Sequence, residues 1–96
     1  MQQAIGVSHG APDRPVVLFI GDGGFMMGGQ NEFNTAVRTG CDLIVIVCNN
    51  SVYGAEHIQM LEKNMAPAIT EFHWPSLAGI ARSLGGEGIT VTTPTE

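Results

Sequence analysis

Ninety-six residues allow one domain at most, and a content of 44% hydrophobic against 14% charged residues, where roughly 25% charged is usual, predicts that part of the surface is covered by something else. A net charge of −5, with Arg14, Arg38, Lys63 and Arg82 as the cations, offers no basic patch and argues against nucleic acid as a partner; a bound phosphate would need a metal or backbone amides. No run approaches the roughly 20 apolar residues of a membrane helix, and the start MQQAIGVSHG lacks a basic segment followed by an apolar one, so the expectation is a soluble, cytoplasmic chain in which Cys41 and Cys48 are reduced, buried thiols.

The first clear element is VVLFI, Val16 to Ile20, placed between Pro15 and Gly21. An apolar, largely β-branched run of this length predicts a strand inside a sheet, buried on both faces. From Gln30 to Arg38 the apolar residues Phe33, Ala36 and Val37 recur at helical spacing, and Gly40 stands where a left-handed residue would end the helix. LIVIVC, Leu43 to Cys48, is a second strand of the same kind, ended by Asn49 and Asn50. Strand, helix and strand within about 35 residues make a βαβ unit with a parallel sheet.

Ser51 to Thr70 shows no sustained period and is expected to be a loop with a helical turn. Leu77, Ile80, Ala81 and Leu84 then recur at i, i+3, i+4 and i+7, with Pro75 before them and Gly85 and Gly86 after, which predicts a helix over Pro75 to Leu84. Trp74 is expected to pack against its start. Gly88 to Thr92 reads as a third strand, and Thr93-Pro94-Thr95-Glu96 carries the capping-box pattern of a helix about to begin. That pattern and the low charge lead to the expectation that residues 1–96 are part of a larger α/β domain.

The chemistry is expected where the strands end. Ligands of open parallel sheets bind beyond the carboxyl ends of the strands, and Asp22 follows the first strand as Asn49 and Asn50 follow the second. A carboxylate, an amide oxygen and a backbone carbonyl are donors for Mg²⁺, which shares its coordination sphere with water and substrate phosphates. Gly21, Gly23 and Gly24 would let a phosphate approach the backbone, and the helix beginning near Gln30 would aim its amides at the anion. The same residues also fit two simple turns. Neither G-x-x-x-x-G-K-[ST] nor G-x-G-x-x-G is present, since Met26 takes the last position of the latter.

Of the histidines His9, His57 and His73, His57 is placed to overhang such a site, although an exposed loop histidine is the plainer reading, as a solvated carboxylate is for Glu56. Met26, Met27 and Met60 fit a substrate channel or simple gap filling. Cys48 reads as core.

GDG, a following helix with Glu32 and Thr35-Ala36-Val37-Arg38, and a strand that ends in Asn-Asn ahead of Tyr53-Gly54 resemble the diphosphate-binding domain of thiamine-diphosphate enzymes, above all the acetolactate synthase and 2-oxoacid decarboxylase group. The resemblance is strong from Pro15 to Gly54 and weaker to Glu96. It implies an α/β, three-layer fold with a mostly parallel sheet. It further implies thiamine diphosphate and Mg²⁺ as cofactors, with Asp22, Asn50 and the backbone of Val52 on the metal and Gly21, Gly23, Gly24 and Tyr53 near the diphosphate. The chain is one residue longer than the usual pattern around Gly28 to Asn31, which puts Asn50 28 rather than 27 positions after Asp22 and leaves Asn49 open as the ligand.

In this family the pyrimidine-binding and central domains are separate from this one. The resemblance therefore implies a part of a carboligase or decarboxylase that does not turn over alone and works as a homodimer or higher oligomer, or with a partner chain. Rival readings are a non-catalytic remnant that dimerises through its apolar surface and another Mg²⁺-dependent phosphate binder.

Overall fold

The computed structural model describes residues 1–95. It is an α/β structure built on two parallel strands, β1 (Val16–Gly21) and β2 (Leu43–Cys48). They pair in register from Val16 opposite Leu43 to Gly21 opposite Cys48, so both carboxyl ends lie at one edge, as the βαβ reading requires.

The sheet is half-buried on one side only. Leu18, Ile20, Val45 and Val47 are partly covered, whereas Val17, Phe19, Ile44 and Ile46 on the other face are 48%, 68%, 54% and 40% exposed. The expected burial on both faces is therefore corrected for this face, which is apolar and open. Cys48, read as core, belongs to the exposed series, and Cys41 is half-buried.

A helix that the periodicity did not announce, α1 (Gln2–Gly10), contacts both strands and buries Ala4 and Ser8. After β1 the chain turns directly into helix. The segment α2 (Asp22–Gly24) runs through a wide π-type turn, Phe25–Gly29, into α3 (Gln30–Arg38). The segment ahead of α3 is thus helical up to a kink at Gly28, where the backbone leaves helical geometry with φ 157° and ψ −20°. The kink lies within the stretch, Gly28 to Asn31, where the sequence is one residue longer than the usual pattern.

Helix α3 spans the predicted residues. It ends in the predicted way, with Gly40 at φ 66°, its N–H donating to Val37 O (3.2 Å) and that of Cys41 to Ala36 O (3.0 Å). This pair of bonds satisfies carbonyls that the helix end would leave without partners. The buried apolar residues are four alanines, Ala4, Ala36, Ala78 and Ala81, and one large side chain, Phe25, which is 2% exposed with its ring edge-on to Phe33 at 6.3 Å.

Beyond β2, the expected loop contains a nine-residue helix, α4 (Gly54–Glu62), and a short 3-10 turn, Pro67–Thr70. Helix α4 buries none of its residues, and its apolar Ile58 and Leu61 are exposed. Helix α5 (Leu77–Ser83) lies inside the predicted range and begins at Ser76, whose Oγ accepts the Gly79 N–H at 3.0 Å. Ser76→Ala is expected to destabilise the fold by about 1 kcal/mol, read as a lower midpoint in a urea melt; an unchanged midpoint would mean that water caps the helix equally well.

The predicted third strand does not form: Gly88–Thr92 has no strand pairing among the described residues. The Arg82 guanidinium donates to Gly88 O, and a Cβ at Gly88 would meet the Ala78 carbonyl, so the segment is tied to α5 rather than to the sheet. Thr93 to Thr95 form a turn, and the Glu96 end of the expected capping box lies outside the described residues. No helix among the described residues is long and apolar enough to cross a membrane.

Candidate functional site

An open trough of about 710 Å³ lies at the carboxyl edge of the sheet, between Gly21–Gly24 on one side and Asn49–Gly54 on the other. The in-register pairing of Gly21 with Cys48 is what brings the two loops together. Asp22, the first residue of α2, is only 2% exposed.

The two asparagines have different jobs. Asn49 turns its Oδ1 back to Ser51, accepting the N–H at 3.0 Å and the hydroxyl at 3.2 Å. This local turn accompanies a left-handed Ser51, φ 59°, a conformation that costs energy in a residue with a Cβ. Asn50 points the other way, so that one terminal atom of its amide lies 3.3 Å from Asp22 Oδ1 and 3.3 Å from Val52 O. Nitrogen at that point donates to both oxygens. Oxygen there accepts the Val52 N–H at 3.4 Å and gathers a carboxylate, an amide and a carbonyl oxygen in one place.

Such oxygens are the donors that hard cations take. Around an ion with ligands near 2.1 Å, neighbouring oxygens of an octahedron stand about 3.0 Å apart, close to the observed spacing. No group of three or more His, Cys, Asp or Glu residues arranged for a metal occurs among the described residues, so a cation here would rely on this mixed set.

Tyr53 closes the floor. Its ring lies where a Cβ on Gly23 would stand, 2.6 Å from two ring carbons, so Gly23 makes room for Tyr53 rather than for a ligand. Gly21, exposed and with no atom within 4 Å of a Cβ, is the glycine that keeps open space beside the site. The helix end that lines the trough is Asp22–Gly24, and Gln30 does not line it.

His57 does not overhang the trough. It belongs to α4, and its Nδ1 is 2.9 Å from Thr70 Oγ1; because the Thr70 hydroxyl donates to Pro67 O at 2.6 Å, His57 Nδ1 is the donor to Thr70. The pair joins α4 to the 3-10 turn. Glu56 and Met27 do line the trough and both are exposed.

A residue that the sequence reading left in the packing role belongs to the site. Trp74 Nε1 donates to Asp22 Oδ2 at 2.5 Å across 52 positions. No local pattern signals a contact over that distance; the available hint was that a single indole stood among few aromatics.

A family model described as "Thiamine pyrophosphate enzyme, C-terminal TPP binding domain" matches residues 1–96. The chain is 36% identical over 88 residues to a sulfoacetaldehyde acetyltransferase of Castellaniella defragrans, covering 91% of this chain and 14% of that protein. To an acetolactate synthase of Bacillus subtilis it is 35% identical over 91 residues, covering 95% and 16%. A stretch of 51 residues is 43% identical to the 2-oxoglutarate synthase subunit KorB of Methanocaldococcus jannaschii, 53% of this chain and 19% of that one. The chain thus spans about a sixth of the length of these curated relatives.

Proposed function

Because the chain belongs to the family of the thiamine pyrophosphate enzymes, as their C-terminal TPP-binding domain, we propose that it holds the diphosphate of thiamine diphosphate through Mg²⁺ in the trough between Gly21–Gly24 and Asn49–Gly54. Asp22 Oδ1, Asn50 Oδ1 and the Val52 carbonyl are the protein's metal ligands in this reading, and Gly21 and Gly24 flank the diphosphate. The observation that carries it is the Asn50 amide, 3.3 Å from both Asp22 Oδ1 and Val52 O. A half-turn of the amide exchanges a hydrogen-bond donor for a third oxygen ligand without moving the backbone.

The net charge of −5 favours the same arrangement, since a diphosphate approaching an acidic chain needs a cation between the two. When bound, thiamine diphosphate supplies the chemistry of making or breaking a bond next to a carbonyl carbon. This chain's part is to bind and orient: Asp22 and Asn50 would hold the metal, and Tyr53, seated on Gly23, would close the floor of the trough beneath the diphosphate.

In this reading the whole protein is a carboligase or decarboxylase of the acetolactate synthase kind, and a second copy or a partner chain supplies the pyrimidine-binding surface. The apolar sheet face at Val17, Phe19, Ile44 and Ile46 supports a partner, because a contiguous apolar patch of this kind is uncommon on a solitary domain. The test is calorimetric titration of thiamine diphosphate into the protein with Mg²⁺, then with EDTA. Saturable heat that EDTA abolishes is expected; a folded sample that gives no heat at millimolar ligand would refute the binding role and leave the motif as architecture.

A further inference from the structure

The groups around Asp22 differ in kind. Asn50 meets Oδ1, on the side of the Val52 carbonyl, while Trp74 meets Oδ2. The indole is fixed from behind: it stacks on Phe72 with ring centroids 4.4 Å apart and planes at 11°, and Phe72 packs on Tyr53 at 4.3 Å.

The backbone holds this aromatic row to the asparagine loop. Tyr53 N–H donates to Thr70 O at 2.9 Å and Phe72 N–H to Ser51 O at 2.8 Å, forming an antiparallel bridge between Val52 and Glu71. The strap that carries Trp74 is therefore pinned to the segment that carries Asn50 and Val52. The partners of the carboxylate are thus joined to one another through backbone hydrogen bonds.

We propose that Trp74 is a positioning residue for the metal ligand Asp22: its indole N–H occupies Oδ2 and leaves Oδ1 alone to face the cation. The inference rests on the binding role proposed above and names a residue that role does not require. Two physical consequences give it content. A carboxylate with one oxygen engaged binds a metal through the other, which suits the octahedral demand of Mg²⁺ better than two-oxygen chelation does. The indole is also a neutral donor with no acceptor capacity, so it satisfies a buried oxygen without cancelling the negative charge that the cation needs. Lysine or arginine in its place would compete with the metal.

The variant Trp74→Phe keeps an aromatic ring on Phe72 and removes the N–H. It is expected to raise the Mg²⁺ concentration needed for half-saturation, at saturating thiamine diphosphate, by about 10-fold or more, as loss of a hydrogen bond behind a metal ligand does. Affinity for thiamine diphosphate at saturating Mg²⁺ should change far less. A merely structural role for Trp74 would weaken both together.

Because Trp74 is the single tryptophan of the chain, its indole proton also gives one resolvable NMR signal in the unaltered protein. That proton should exchange slowly with water both before and after Mg²⁺ and thiamine diphosphate are added. Equal Mg²⁺ dependence in Trp74→Phe and the parent, a parallel loss of both affinities, or an indole proton that exchanges freely once the ligands are bound would each overturn the inference. If the parent protein itself binds neither ligand, the binding role falls first and this inference with it.

Discussion

Replacing Asp22 with alanine is expected to lower the Mg²⁺-dependent affinity for thiamine diphosphate by more than about 100-fold, beyond what loss of a hydrogen bond behind a ligand produces. The carboxylate is the one charged group in the proposed donor set, and Asn50 and the Val52 carbonyl contribute only dipoles. Alanine also leaves the Trp74 N–H without its acceptor, at a cost of about 1–3 kcal/mol for a buried donor. Asp22→Asn separates the two effects.

Asparagine preserves an oxygen for Trp74 and nearly the same volume, but removes the charge. Both described partners of the buried carboxylate, Trp74 and Asn50, are neutral, and a buried charge with neutral partners is costly. Asp22→Asn should therefore melt no lower than the parent while binding Mg²⁺ at least 100-fold more weakly by the same reasoning. Calorimetry with a parallel thermal melt reads both quantities. Retained Mg²⁺-dependent binding in Asp22→Asn would remove the carboxylate from the metal site.

Phe25→Ala should produce the largest loss of stability. Phe25 is the one large residue in a core otherwise made of alanines, 2% exposed, and Phe33 leans on its ring edge-on. Truncating a buried phenylalanine costs about 3–5 kcal/mol, much of the 5–15 kcal/mol by which whole domains are stable. In a chain of this size that corresponds to a fall in melting temperature of at least about 12 °C, followed by circular dichroism. A fall of only a few degrees would show that the surrounding residues close over the gap.

Strand and helix were legible where side-chain pattern and burial coincide. VVLFI, LIVIVC and the α3 stripe of Phe33, Ala36 and Val37 each announce their element, and Gly40 marks the end of α3 because few other residues adopt its backbone angles. Helix α4 was not legible: Ile58 and Leu61 are 57% and 53% exposed, so no buried face imposed a period. Ile89 and Val91 looked like a strand by composition, yet a strand is defined by its partner, and Arg82 holds this segment on α5. At the site, Asp22 and Asn50 could be read because they stand at the ends of adjacent strands. Trp74 could not, since its place depends on the bridge between Val52 and Glu71, a tertiary feature without a local signature.

The parallel pairing of β1 and β2 also governs the order in which the chain can fold. Antiparallel strands can zip outward from a tight turn, but Val16 can meet Leu43, 27 positions on, only after the chain between them has been brought round, at an entropic cost of about 3 kcal/mol. Until then Asp22 and Asn50 are strangers in solution. The two halves of the site therefore come together only when the two strands pair.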